Sequence, residues 1–178
     1  MSPIDNNTIP EPISCNIHYK TDELARYYST NRIRWNDFYP SERCIMEMVS
    51  NSERGIGRVL DVGCATGGLG IALAERFSVS NYLGVDICTS AIKLAKARTE
   101  RYPVSYRFES GDILTMKNLQ VEGFDTVFSL SCADWNVETH AIINTCWKYI
   151  RKGGYFVITL RLTPEISLCN MSESYQYI

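Results

Sequence analysis

From Arg58 onward the apolar residues fall into two alternating rhythms. Short runs of β-branched and aromatic residues are separated by longer stretches in which apolar residues recur at three- and four-residue intervals. The runs predict strands at Arg58–Val62, Tyr82–Ile87, Val104–Glu109, Asp125–Leu130 and Tyr155–Leu160. Between them the helical rhythm predicts a helix from Gly68 with Leu69, Leu73 and Phe77 on one face. A second is predicted over Ser90–Arg101, capped by Thr89 or Ser90. A third is predicted over Val137–Ile150, with Asn136 before it and Ile142, Ile143, Cys146, Trp147 and Ile150 at helical spacing. It ends on Arg151-Lys152 with Gly153-Gly154 beyond, a cationic last turn followed by a glycine stop. Strands and helices alternating in this way predict a parallel sheet covered on both faces.

Before Arg58 the pattern differs. Residues 1–17 carry prolines and no periodicity and read as a loose arm. Thr21-Asp22-Glu23 opens a short helical turn that runs through Tyr28. The stretch Asn31–Tyr39 is crowded with Arg32, Arg34, Trp35, Phe38 and Tyr39. Pro40-Ser41-Glu42 then starts a helix bearing Ile45, Met48 and Val49, which residues 51–57 end. The expected division is an N-terminal arm and helical lid over 1–57 and a core over 58–178, within one domain.

Length and composition narrow the field. The 178 residues suit one domain and are too few for two comfortable ones. A net charge of −2 gives no electrostatic reason to expect nucleic acid as partner, and Arg26, Arg32 and Arg34 read as a solvated face. The seven cysteines are an odd number without a Cys-x-x-Cys pair, so neither a disulfide framework nor a metal site is signalled. There is no basic stretch followed by an apolar secretory core and no apolar run of membrane-spanning length. The expectation is a cytoplasmic protein in a reducing compartment, without membrane contact.

Chemistry-bearing residues gather just after the predicted strands, where open α/β sheets bind their ligands. After the first strand, Gly63-Cys64-Ala65-Thr66-Gly67-Gly68 leads into a helix, which brings backbone N–H groups and a favourable dipole close to a ligand. Asp61 sits inside that strand end, where a carboxylate is costly unless something cationic lies near it. A small ligand with both an anionic and a cationic group suits the pair. Asp86 ends the second strand, at the place from which an acid accepts hydrogen bonds from a ribose. Asp112-Ile113 follows the third strand, an acid beside an apolar residue that suits an exocyclic amine and a purine face. Ser129-Leu130-Ser131-Cys132-Ala133-Asp134-Trp135 follows the fourth.

The pieces LDVGCATGG, LGVDI, ESGDIL, FDTVFSLSCADW and IRKGGYFVIT, in this order and spacing, resemble the class I S-adenosylmethionine-dependent methyltransferases over about Val59–Leu160. The resemblance implies an α/β fold: a doubly wound, mostly parallel Rossmann-like sheet flanked by helices, here with an N-terminal helical segment added. It implies S-adenosyl-L-methionine as cofactor and no metal. Asp61 and the backbone of Gly63, Cys64, Ala65, Thr66 and Gly67 would hold its amino-acid end, and Asp86 with Ile87 its ribose. Asp112 and Ile113 would hold the adenine, and Ser129 and Leu130 would line the methionine and sulfonium part. Methyl transfer is an in-line displacement, in which the protein aligns the acceptor and excludes water. If a base is needed, Asp134 and His140 are the candidates, with Tyr19, Tyr27 and Tyr28 behind them; His18 suggests no role. Tyr27–Tyr39 is the expected lid, with Arg32 or Arg34 meeting an acidic acceptor. Cys64 is expected to fill space. Trp135 and Trp147 are expected to pack, Trp135 being placed to face the acceptor.

Two departures from the family shape the remaining expectations. The fourth strand lacks the Asn/Asp-Pro-Pro-Tyr/Phe sequence of methyltransferases acting on planar amines, which points to a small-molecule acceptor. The family's fold continues past the fifth strand with a helix and two more strands, the last antiparallel. Residues 161–178, with Pro164 and a polar ending, supply one short helix at most. The exposed edge of strand five is therefore expected to be covered by a further C-terminal segment or by a second copy of the chain. Two alternatives stand beside the enzyme: a catalytically silent S-adenosylmethionine-binding module acting with a partner, and an NAD-dependent oxidoreductase. The latter's Gly-x-Gly-x-x-Gly is not met, because Ala65 stands where the second glycine belongs.

Overall fold

Five strands form where the β-branched runs predicted them, and their ends show what the pattern alone did not carry. The structure is a computed structural model describing residues 20–116, 119, 123–136 and 138–162. The N-terminal arm with His18 and Tyr19, Val137, and the sequence after Leu162 lie outside the described residues. In chain order the elements are α1 (Asp22–Thr30), α2 (Pro40–Ser50), β1 (Gly57–Val62), α3 (Gly68–Ala74) and β2 (Val79–Asp86). There follow α4 (Thr89–Thr99), β3 (Ser105–Ser110), β4 (Phe124–Ser129), α5 (Thr139–Lys148) and β5 (Ile150–Ile158).

The sheet order is β3-β2-β1-β4-β5, with every pairing parallel. Alternation along each strand divides the core into two layers. Val59, Tyr82, Phe108 and Phe128 pack with Met46 and Val49 of α2, Leu69 and Leu73 of α3, and Ile92 and Ala95 of α4. Their neighbours Leu60, Leu83, Val85 and Val127 pack on the opposite face with Ile142 and Cys146 of α5. Both faces are covered, as a parallel sheet requires. The chain runs outward from β1 to β3 and then returns to the other side of β1 as β4. The strand order therefore reverses between β1 and β4, and a crevice opens at their carboxyl ends.

Three boundaries correct the sequence expectations. β2 starts at Val79 rather than Tyr82, because Val79 and Asn81 already pair with Gly57 and Arg58. α3 stops at Ala74, so Phe77 is not on the helix and packs edge-on against Trp35, ring centroids 5.3 Å apart. The largest change concerns the last helix, which ends at Lys148 and not Ile150. Ile150–Gly154 already belong to β5, and the ladder between β4 and β5 shifts register between Phe124 and Thr126. Gly153 has φ 77°, so the glycines that read as a helix stop bend a strand instead. Neither Thr89 nor Ser90 caps α4. Cys88 is its N-cap, the Cys88 N–H is held by Asp86 Oδ1 at 2.8 Å, and Ser90 bonds Asp22 of α1.

One buried acid stitches β1 to β4 and β5. Asp125 accepts the Arg58 N–H at 2.8 Å and pairs with Arg151. A Cβ on Gly57 would come within 2.7 Å of the Asp125 Cβ, and Gly57 has φ 62°, so the chain crosses this carboxylate with a glycine. Asp125→Ala removes the acceptor of the Arg58 N–H and the partner of Arg151 and is expected to cost about 1–3 kcal/mol. The urea midpoint, at unchanged m-value, measures this.

Candidate active site

The crevice at the reversal of strand order is a cavity of about 790 Å³. It is walled by α1, the Asn31–Tyr39 connection, and the turns after β1, β2, β3, β4 and β5. The turn after β1 is fixed from all sides. Gly63 and Cys64 both donate their N–H to Val85 O, at 2.8 and 3.1 Å. Gly63 and Gly67 have φ of 83° and 77°, and Ala65 shares the left-handed region at 45°. A Cβ on Gly67 would lie 2.8 Å from the Phe108 ring, and one on Gly68 would overlap the Arg32 carbonyl.

Most of the expected residues come together here. Asp61, Gly63, Cys64, Ala65, Thr66, Asp86, Ile87, Asp112, Ile113 and Leu130 all line the cavity. Asp86 serves the loop before it serves any ligand. Its Oδ2 accepts the Ala65 N–H and its Oδ1 the Cys88 N–H, each at 2.8 Å. Burial pushes its carboxyl up, against those two amides, which draw it down. Asp61 is bonded by the hydroxyl of Tyr82 deep under the loop. Burial lifts its carboxyl to about 7, opposed by the Tyr82 hydrogen bond and by Arg32 and assisted by Asp86. Asp112 Oδ1 accepts the Leu114 N–H at 2.9 Å and so also shapes its own turn. The Cys64 thiol is buried and pushed up by that burial, which suits a space-filling role.

Other expected residues are placed differently. Gly67 does not reach the cavity wall; its left-handed turn delivers Gly68, which does. Ser129 is fully buried behind the wall. The Thr66 hydroxyl faces away, donating to Tyr28 O at 2.7 Å and accepting from Arg98 at 2.8 Å. Asp134 is not on the wall either, and binds Arg161 at 2.7 Å. His140 stands on the exposed side of α5, away from the cavity. Arg34 pairs with Glu75 on the surface, and Trp147 is 66 % exposed with its edge on Phe156.

Four residues that matter had no sequence signal or a faint one. Glu42 is 1 % exposed, takes the Tyr39 N–H at 2.9 Å and holds Arg32 at 2.9 Å. Its place three residues after the N-cap Tyr39 was the available hint. Arg32 then lies over Phe38 and Tyr39 and enters the cavity. Arg98 of α4 reaches the C-terminal end of α1, donating to Ser29 O at 2.6 Å. A helix C-terminus exposes unpaired carbonyls and a negative dipole end, and Arg98 with Thr66 answers both. Tyr82, read only as a strand residue, is the buried hydroxyl that donates to Asp61. Arg161 lines the cavity with Trp135. Nothing local marks Arg98 or Arg161, because their partners are far away in sequence. Among the described residues there is no metal-binding cluster, and no helix is long and apolar enough to cross a membrane.

An acid at each of three strand ends, a glycine turn under a helix, and a five-stranded parallel sheet reversing at β1 define a doubly wound, Rossmann-like α/β fold. The chain belongs to the methyltransferase domain family, whose model matches residues 55–172, and its fold is that of the class I S-adenosylmethionine-dependent methyltransferases. It is 34% identical over 106 residues to trans-aconitate 2-methyltransferase of Deinococcus radiodurans, covering 60% of this chain and 38% of that protein. It is 29% identical over 147 residues to phosphoethanolamine N-methyltransferase 1 of Arabidopsis thaliana, covering 81% of this chain and 29% of that one. Among solved structures it resembles the S-adenosylmethionine-bound amino pentose methyltransferase CalS10 of Micromonospora echinaspora. The TM-score is 0.61 at 25% identity, covering 83% of this chain and 59% of that one. The chain thus spans well under half the length of these two curated relatives.

Two outcomes follow from this geometry. Asp61 binds its proton more tightly folded than unfolded, where its pKa is about 4. Its contribution to stability is therefore full below about pH 4 and is lost as pH rises through about 7. Urea midpoints from pH 4 to 7 should fall less steeply in Asp61→Asn than in wild type. Arg98→Ala should speed amide exchange in α1 by at least about tenfold while leaving β1 and β4 protected.

Proposed function

We propose that the cavity binds S-adenosyl-L-methionine and that the domain transfers its methyl group to a small-molecule acceptor. The observation that carries the reading is the buried carboxylate of Asp61 beneath a glycine turn, with Asp86 and Asp112–Ile113 on the same wall. Bound there, the cofactor supplies an electrophilic methyl group on a sulfonium that leaves readily. The protein's residues fit it part by part. Asp61, which has no cation bonded to it among the described residues, pairs with the α-ammonium beneath the Gly63–Thr66 turn, whose Gly63, Cys64 and Ala65 amides are already held by Val85 and Asp86. Arg32, preset by Glu42 and stacked on Phe38, takes the α-carboxylate. Asp86 retains lone pairs beyond those given to the two amides and accepts the ribose hydroxyls. Ile113 gives an apolar face to the adenine, beside the carboxylate of Asp112.

The lid expected over Tyr27–Tyr39 is supported by Tyr27, Tyr28, Arg32, Phe38 and Tyr39 lining the cavity. With α1 clamped to the turn by Thr66 and Arg98, these side chains exclude water from the reacting centre. Assigning Arg32 to the cofactor replaces its expected role with an acidic acceptor, because it lies near Asp61 and contributes to lowering that carboxyl. The placement of Asp134 and His140 off the wall leaves alignment, rather than a base from either residue, as the protein's main contribution. The division into a lid segment over 1–57 and a core over 58–178 follows the same reading.

Calorimetric titration with S-adenosylhomocysteine tests the assignment. Saturable binding is expected, weakened about 10- to 100-fold in Asp86→Ala and in Arg32→Met. Binding should also release protons near neutral pH as Asp61 ionises, seen as a dependence of the measured heat on buffer ionisation enthalpy. No binding to folded wild-type protein, or binding indifferent to both substitutions, would contradict it.

A further inference from the structure

Resting on that cofactor assignment, we propose that the other half of the cavity receives an anionic acceptor, a small carboxylate- or phosphate-bearing molecule, on the guanidinium of Arg161. Charge is divided across the cavity. The acids Asp61, Asp86 and Asp112 stand at the ends of β1, β2 and just after β3. Beyond the reversal point, the turns after β4 and β5 contribute Leu130, Ser131, Cys132, Trp135, Asn136 and Arg161, so Arg161 is the charged residue of that wall among the described residues.

Arg161 is held as a binding group is held. Its Nε and its backbone N–H both donate to Asp134 Oδ2, at 2.7 and 3.1 Å. Its guanidinium carbon lies 4.0 Å from the centre of the Trp135 ring. The carboxylate fixes one edge of the guanidinium plane and the indole covers one face. The edge carrying the two terminal nitrogens has no partner among the described residues, and the side chain keeps 44% of its exposure. An open terminal edge is the fork that takes two oxygens of a carboxylate or phosphate side by side.

The cost of the arrangement points the same way. Asp134 is only 8% exposed, and its Oδ1 is buried without a partner among the described residues. An ion pair with one partner so desolvated adds little stability over apolar packing, so stability alone does not account for it. Asp134 is a positioning residue for Arg161. The other arginine in the cavity, Arg32, is already committed to Glu42 and the cofactor side. The remaining ion pairs among the described residues, Arg34 with Glu75, Arg107 with Glu109 and Arg151 with Asp125, lie away from the cavity.

The test uses protein saturated with S-adenosylhomocysteine and titrates malonate and methyl phosphate separately by calorimetry. At least one anion should saturate in the millimolar range, weakened about tenfold or more by Arg161→Gln while S-adenosylhomocysteine affinity is unchanged. Arg161→Lys should retain part of the binding, and Asp134→Ala should weaken it with Arg161 still present. Malonate binding alone indicates a carboxylate acceptor, methyl phosphate alone a phosphate. Absence of saturation by both anions, or binding that survives Arg161→Gln, overturns the proposal with the cofactor assignment intact. Failure of wild-type protein to bind S-adenosylhomocysteine overturns both.

Discussion

Backbone packed directly on backbone is the constraint on which the site depends. Residues 31–33 cross the start of α3 so closely that any side chain at Gly68 would collide with the Arg32 carbonyl. Beneath and beside it, Gly63 lies against Cys132 and Gly67 against Phe108 with no room for a Cβ. The turn between β1 and α3 is therefore wedged between the turn after β4, a strand of the sheet and the Asn31–Tyr39 connection. Its Gly63, Cys64 and Ala65 amides are bonded to Val85 and Asp86, so the shape of the turn is fixed before any ligand arrives. Arg32 itself takes φ 56°, an uncommon value for its residue type, to make that crossing.

The two buried carboxylates beside the turn meet the problem of burial in different ways. Asp86 is neutralised in part by amides of the two segments it joins, so it braces the turn after β1 against the start of α4. Asp61 is bonded by one hydroxyl and by no amide among the described residues, and burial raises its carboxyl. Asp86 is thus a structural acid with spare acceptor capacity, whereas Asp61 is the acid for which the proposed cofactor would supply a cation. An amino-acid-bearing sulfonium compound answers that need, and a pyrophosphate cofactor does not. The same asymmetry separates this site from that of a nicotinamide-dependent oxidoreductase, in agreement with Ala65 standing in the place of the second fingerprint glycine.

The strands and the acids at their ends were legible because each depends on a few adjacent residues. Val59–Val62 reads as a strand from its own side chains, and a strand fixes where its terminal acid points. What stayed hidden depends on residues far apart. Gly153-Gly154 after a cationic turn satisfies every local rule for a helix stop. Only the pairing of Phe124 with Ile150 makes the segment a bulged strand. Arg98 clamps α1 because α4 packs beside it, and Arg161 meets Asp134 because β4 and β5 are neighbours. Ser129 was expected at the ligand, but β4 turns its side chain into the core and leaves the wall to Leu130. Strand alternation made both faces available, and the sequence offered no way to choose between them.

The central claim is that the preformed cavity under α1 is the cofactor site. Amide chemical-shift mapping on labelled protein titrated with S-adenosylhomocysteine tests it most directly. The account predicts saturable shifts concentrated at Arg32, Gly63–Gly68, Asp86–Cys88 and Asp112–Ile113, with β5 and the exposed face of α5 little changed. Shifts confined to another surface, or none in a folded sample, would contradict it.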